Sequence, residues 1–247
     1  MNPAHFEVLI IIGRPASGKS EIINLLERTP PPERASRYRI GEMDVLDDFP
    51  MLWAWFEEDH ILSARLGQPR LHSDSQGYFK HTYLWQLLIE RLGLEYHKRR
   101  RDEPDYHART TTLVEFSRGS QHGGYQAAFP HLPEELLSRA GVLYVDVSYA
   151  ESLRKNRRRY NPARPDSILE HALTDEKLDR LYRHDDWTEF SAPDPAFVHV
   201  KDLRVPYVIF ENEDDVTSAL PDEFAARLES VLGRLWQLRN EVSPRKG

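Results

Sequence analysis

The chain has 247 residues, a formal net charge of −7 and 40% hydrophobic residues, enough for one α/β domain with insertions and a real core. Its lack of cysteine excludes disulfides, thiolate metal sites and thiol nucleophiles, and the acidic balance argues against a protein that coats nucleic acid. No apolar run approaches membrane-spanning length, and a strand-like run starts almost at the N-terminus with no signal-peptide pattern before it, so a cytoplasmic protein is the simplest expectation.

The first predicted strand is Val8-Leu9-Ile10-Ile11-Ile12, a continuous apolar and mostly β-branched run of the kind buried on both faces of a parallel sheet. It leads into Gly13-Arg14-Pro15-Ala16-Ser17-Gly18-Lys19-Ser20, which reads GxxxxGKS, the phosphate-binding P-loop. After it, Ile22, Ile23, Leu25 and Leu26 recur at helical spacing. Strand, loop and helix together give the motif its meaning. Small residues let backbone amides wrap a phosphate chain, and the new helix turns its positive end toward the anion. Lys19 can reach the β- and γ-phosphates of a nucleoside triphosphate, and the Ser20 hydroxyl can join a Mg²⁺ shell.

A weaker strand is predicted at Tyr38-Arg39-Ile40, leading into Gly41-Glu42-Met43-Asp44. A carboxylate there would stand near a γ-phosphate, where it can orient an acceptor hydroxyl and take its proton. Asp44 ranks first for that role and Glu42 next, with Asp47 and Asp48 read as first-turn acids of a helix over Leu46 to Phe56. The following long stretch carries Trp53, Trp55, Phe56, Tyr78, Phe79, Tyr83 and Trp85, more aromatic residues than a plain crossover needs. It ends in His97-Lys98-Arg99-Arg100-Arg101, a basic run read as a surface helix end because Asp102, Glu103 and Asp105 follow at once.

The third strand, Thr111 to Phe116, places Glu115 at its end, followed by Ser117 and Arg118. Ligands of open α/β sheets gather at the carboxyl ends of the strands, so Glu115 suits Mg²⁺ and Arg118 a phosphate of the substrate. The fourth strand is Val142 to Val147. Arg154, Arg157 and Arg158 then fall at i, i+3 and i+4 of a predicted helix, so they share one face, with Arg159 and Arg164 nearby. Phosphoryl transfer piles charge on the transferring group, and arginines from a closing lid can neutralise it. The fifth strand, Val205 to Phe210, is followed by Asn212-Glu213-Asp214-Asp215, a loop that could contact an adenine base. The last helix starts at Pro221, with Asp222 and Glu223 in its first turn and a stripe of Phe224, Leu228, Val231, Leu235 and Leu238. A frayed tail is expected after Ser243. Among the eleven histidines there is no HxxxH or HExxH pattern.

Together, Gly13 to Ser20, the acids after the second strand, Glu115 with Arg118, and Arg154 to Arg159 resemble the nucleoside/nucleotide kinase branch of the P-loop kinases. The segment Glu115-Phe116-Ser117-Arg118 is similar to the Glu-Arg-Ser segment of deoxynucleoside kinases, with the arginine displaced. The resemblance covers the sheet and the P-loop and not the aromatic-rich stretch, where this superfamily holds the acceptor. It implies a P-loop NTP-hydrolase fold with five parallel strands in the order 2-3-1-4-5. The whole chain, residues 1–247, would be one domain, with an acceptor-binding insertion over about 45–108 and an arginine-rich lid over about 150–190. It further implies ATP with Mg²⁺, and phosphoryl transfer to a small acceptor such as a nucleoside, nucleotide, sugar or small acid. Under this reading Lys19, Asp44, Arg154, Arg157 and Arg158 are catalytic and Gly13 to Ser20 with Asn212 hold the nucleotide. Glu42 and Arg118 touch the substrate, and Ser20 and Glu115 serve the metal. A nucleotide-dependent switch and a polynucleotide-end kinase are the alternatives. Neither a nucleic-acid nor a membrane partner is expected, and a monomer and a homodimer are both compatible with the sequence.

Overall fold

A computed structural model describes residues 4–159, 173–219 and 221–242. Arg164 and the segment after Ser243, both singled out above, lie outside the described residues.

In chain order the elements are β1 (Val8–Gly13), α1 (Lys19–Arg28), α2 (Pro31–Tyr38), β2 (Glu42–Asp47), α3 (Asp48–Ala64), α4 (Tyr83–Asp102) and β3 (Thr110–Phe116). Then come α5 (Gly124–Ala128), α6 (Glu134–Leu137), β4 (Ala140–Asp146), α7 (Tyr149–Arg159), α8 (Asp175–Tyr182) and α9 (Trp187–Ser191). The chain closes with β5 (Phe197–Val200), β6 (Leu203–Glu211), α10 (Val216–Ala219) and α11 (Pro221–Val242). Among the described residues no helix is long and apolar enough to cross a membrane.

The sheet has six strands in the order β2-β3-β1-β4-β6-β5. Pairings β2–β3, β3–β1, β1–β4 and β4–β6 are parallel, whereas β5 pairs antiparallel with β6. The expected five parallel strands are therefore present in the expected order, but the sheet is mixed and one strand larger. The extra strand is a hairpin arm: Val200 pairs with Leu203 across a turn in which Lys201 adopts φ 53°. It covers only the first half of β6, from Leu203 to Pro206, so Pro206, which has no amide hydrogen to donate, sits where an edge begins.

Why β1 is apolar throughout is visible in its neighbours. Val8, Ile10 and Ile12 join a core with α4, α5 and α9, while Leu9 and Ile11 join a second core with α1 and α11 on the other face. The sheet is thus covered on both sides. In α11 the expected stripe is buried at Phe224, Leu228, Leu235 and Leu238, with Leu232 at its centre and Val231 packed against the margin.

The second strand differs in position from its expectation. Tyr38 closes α2 rather than opening a strand. Pro31 stands at the first helical position, where a missing amide hydrogen costs nothing, and Arg39 at φ 58° ends the helix in a left-handed cap. The strand therefore starts at Glu42 and runs to Asp47. Its register, Asp44 opposite Thr112 and Asp47 opposite Glu115, puts Asp47 and not Asp44 at the carboxyl end of the sheet.

Candidate functional site

The P-loop emerges between central strand β1 and α1. Its shape depends on three left-handed or unusual backbone positions: Gly13 at φ 153°, Ala16 at φ 55° and Gly18 at φ 116°. A Cβ on Gly13 would strike the Val145 carbonyl, and one on Gly18 would strike the Asn212 amide. Only glycine fits where a neighbouring strand and a side chain come this close. Asn212 is fully buried. Its Nδ2 donates to the Ser17 carbonyl at 2.6 Å and to Thr217 Oγ1 at 2.9 Å, bracing the loop from outside. It was expected at a base, but its amide is committed to the loop.

Inside the loop, the amide of Ser17 donates to the Arg14 carbonyl. Among the described residues no protein acceptor takes the amides of Ala16, Gly18, Lys19 and Ser20. Buried donors without partners are costly, so a ring of them at a helix N-terminus matches a phosphate chain. Lys19 is buried, and its Nζ donates to the carbonyls of Gly13 at 3.3 Å and Arg14 at 3.0 Å and to Ser117 Oγ at 2.9 Å. Burial lowers its pKa, and Glu115, 3.9 Å away, and Asp47 pull it back up.

Asp47 and Glu115 face each other in register at the carboxyl ends of β2 and β3. They titrate as a pair. Burial pushes both up, Asp47 to about 8 with the further help of Glu115 and Asp48, while the Phe49 amide opposes the rise. That amide donates to Asp47 Oδ1 at 2.9 Å, so Asp47 also caps α3. A carboxyl pair beside a P-loop lysine, with both pKa values raised by burial, is a place where a cation or a proton can be exchanged. Among the described residues no three His, Cys, Asp or Glu side chains converge on a metal position, so a Mg²⁺ here would rest on Ser20, on one or both of these carboxylates and on the ligand.

The P-loop forms one end of a cleft of about 520 Å³, which is walled further out by Phe49, Trp53 and Phe56 of α3, by Tyr78 and Phe79, and by Lys177 and Arg180 of α8. The Tyr78 loop is anchored by Asp59, whose buried carboxylate accepts from the amides of Ser73 at 2.6 Å and His72 at 3.1 Å and from Ser73 Oγ at 2.7 Å. Burial pushes its pKa up, but Ser73 and the amides of Leu71, Ser73 and His72 win and hold it at about 2. Arg180 lies 4.0 Å over the Tyr78 ring and so joins α8 to that loop.

Several residues singled out in the sequence stand elsewhere. Asp44 is bound by Arg99 and accepts from Tyr106 Oη at 2.6 Å, three residues short of the strand end. Glu42 opens β2 as an exposed residue 3.5 Å from Arg109. Arg118 is 2% exposed and forms an ion pair with Asp48 at 2.7 Å, flanked by Trp85 and Phe116. Of the arginine triad, Arg154 and Arg158 turn to Asp215, at 2.8 and 3.0 Å, and Arg157 pairs with Asp175 at 2.6 Å. The residues of α7 that line the cleft are Asn156 and Arg159. Arg14 points away from the loop's interior, to Asp185 at 3.0 Å and the Val147 carbonyl at 3.0 Å. Lys19, Ser20 and Glu115 line one end of the cleft together with Asp47, one of the four neighbouring acids of which some are read above as N-terminal helix acids.

No protein-family model matches the chain, and no curated protein sequence does. Among solved structures, Kti12 of Chaetomium thermophilum in complex with ADP-AlF3 is similar over 94% of this chain and 98% of that one, at 15% identity and a TM-score of 0.49. TT1252 of Thermus thermophilus is similar over 94% and 98%, at 19% identity and a TM-score of 0.41. A sugar kinase of Janibacter sp. HTCC2649 is similar over 92% and 95%, at 11% identity and a TM-score of 0.38. Scores this low carry no activity across, so function rests on this chain's own residues.

Proposed function

We propose that the chain is an ATP- and Mg²⁺-dependent phosphotransferase acting on a small acceptor. The observation that carries this reading is the juxtaposition of unpartnered P-loop amides, a buried Lys19 and the Asp47–Glu115 pair at the head of a walled cleft. A nucleotide-dependent switch would use the amides, Lys19 and one carboxylate for Mg²⁺; the second carboxylate, facing a walled cleft, is what favours transfer to an acceptor.

In this reading the amides of Ala16 to Ser20 and Lys19 hold the phosphates. Lys19 leaves the loop carbonyls to do so, and its charge is favoured again by an anion. Ser20 and Glu115 would hold Mg²⁺, which supplies charge neutralisation on the triphosphate. In its ionised form, favoured by Lys19, Asp47 accepts a hydrogen bond from the acceptor hydroxyl and takes its proton as the new bond forms, the role expected above of Asp44. Arg159, which lines the cleft, meets the transferring group in place of the triad Arg154, Arg157 and Arg158. The basic run of α4 supports no polynucleotide reading, since Arg99, Arg100 and Arg101 pair with Asp44, Glu135 and Asp102.

The test is a screen of nucleosides, nucleotides, sugars and small acids for acceptor-dependent ADP release, with Lys19→Ala as control. A kinase releases ADP only with its acceptor, and Lys19→Ala removes that release by about a hundredfold or more. Slow hydrolysis indifferent to every acceptor would replace the kinase reading with the switch.

A further inference from the structure

The cleft is polarised in charge, and this deepens the reading above, on which it rests. Its carboxylates, Asp47, Asp48 and Glu115, gather at the P-loop end, where Asp48 is matched by Arg118. At the Tyr78 end α8 presents Lys177 and Arg180, one helical turn apart on one face. Among the described residues neither is paired with a carboxylate. Lys177 reaches only the Gly77 carbonyl at 3.5 Å and the Tyr78 ring, and Arg180 lies over the same ring. Most other arginines of this acidic chain have a carboxylate within reach, so two neighbouring cations left without one mark a place for an external anion.

Between the two ends the lining is aromatic. Phe49, Trp53 and Phe56 follow at i, i+4 and i+7 along α3, and Phe79 faces Phe56 at 5.4 Å between ring centres. Phe49, Trp53, Phe56 and Tyr78 keep part of their surface open to the cleft. Aromatic rings lining a cavity give a flat, apolar body a surface to lie against. The cleft of about 520 Å³ includes the P-loop, so only part of it is left for an acceptor, which must be small.

We propose that the acceptor is a ring-bearing anion. Its transferable hydroxyl meets Asp47, its ring lies among Phe49, Trp53 and Phe56, and its anionic group is held by Lys177 and Arg180. In the transfer the acceptor oxygen forms the new P–O bond as the bond to the leaving ADP breaks, and the hydroxyl proton passes to Asp47.

Calorimetric titration of the full chain, with a non-hydrolysable ATP analogue and Mg²⁺ present, tests this with three classes of probe. They are ring-bearing anions (para-hydroxymethylbenzoate and uridine monophosphate), their uncharged counterparts (the methyl ester and uridine), and ringless anions (glycerate and glycerol phosphate). Ring-bearing anions should bind at least about tenfold more tightly than either other class, the loss expected when a charged group loses its partner. Lys177→Gln/Arg180→Gln, which keeps the side-chain stems, should erase that preference and leave the affinity for the ATP analogue within about twofold. Equal binding of uncharged or ringless probes overturns the proposal and leaves the nucleotide reading standing. So does a double variant that loses the ATP analogue while keeping the ring-bearing anions, because the two cations would then serve the nucleotide. If the wild type fails to bind the ATP analogue at all, the phosphotransferase reading falls and this proposal with it.

Discussion

A carboxylate three positions further along one strand changes which residue can act. The pKa of Asp47, at the end of β2, is pushed up to about 8, because burial and the facing Glu115 disfavour its charge. In the unfolded chain it ionises at about 4. This raised pKa contributes stability that is whole below about pH 4 and is lost as pH rises through about 8. Asp47→Asn keeps the cap-like shape without the ionisation. Its Tm should gain on wild type as pH rises from about 5 to about 8, and kcat for the identified acceptor should fall by about a hundredfold or more. Parallel melting curves with no pH-dependent divergence would show that Asp47 is already ionised. Arg118 makes the opposite kind of prediction. It lines the cleft, but its buried guanidinium is held by Asp48 beneath Trp85. Arg118→Ala leaves a buried charge uncompensated and should destabilise the fold by about 3–5 kcal/mol in denaturant titration. A loss under about 1 kcal/mol would place Arg118 in solvent contact after all.

At the scale of elements, the sequence was clear where one physical signal dominates. The β-branched run of β1 and the glycine pattern after it identify strand, loop and helix, because nothing else in the chain competes for those residues. It was unclear where two signals overlap. Tyr38-Arg39-Ile40 has strand-like composition, but Pro31 starts a helix that carries through Tyr38, and the strand is displaced toward Asp47. That displacement moves Asp44 away from the strand end and brings Asp47 to it. β5 went unread because His199, Lys201 and Asp202 interrupt its apolar pattern, which only pairing with β6 makes sense of. For α7 the spacing of Arg154, Arg157 and Arg158 was read correctly as one helical face, but that face meets Asp215 and Asp175. The prediction is reversed accordingly. Arg157→Ala, an exposed pair, should cost under about 0.5 kcal/mol and leave kcat alone. Arg159→Ala should lower kcat by about tenfold or more with a smaller change in KM for ATP. Steady-state kinetics on both variants decides between the two faces of the helix.

For the molecule as a whole, order within the sheet was legible because parallel α/β crossovers leave few topologies, and the sequence names the strand that must be central. The cleft beyond the P-loop was not legible. Its walls come from α3, the loop before α4 and α8, segments far apart in the chain and joined by no common motif. What joins them is the stack of Arg180 on Tyr78, and this contact has a consequence in time rather than in affinity. It ties α8 to the loop held by Asp59, so under the proposed function a product spanning the cleft would depart as the two part. A cation–ring contact is worth roughly 0.5–2 kcal/mol, which corresponds to about a two- to thirtyfold change in how often it opens. Tyr78→Ala should therefore raise the rate of product release measured by stopped flow, and weaken the hold on the acceptor with it. If release is the slow step, kcat rises and loses its dependence on solvent viscosity. The ring of Tyr78 then acts as a clock for the cycle, setting how long each product stays.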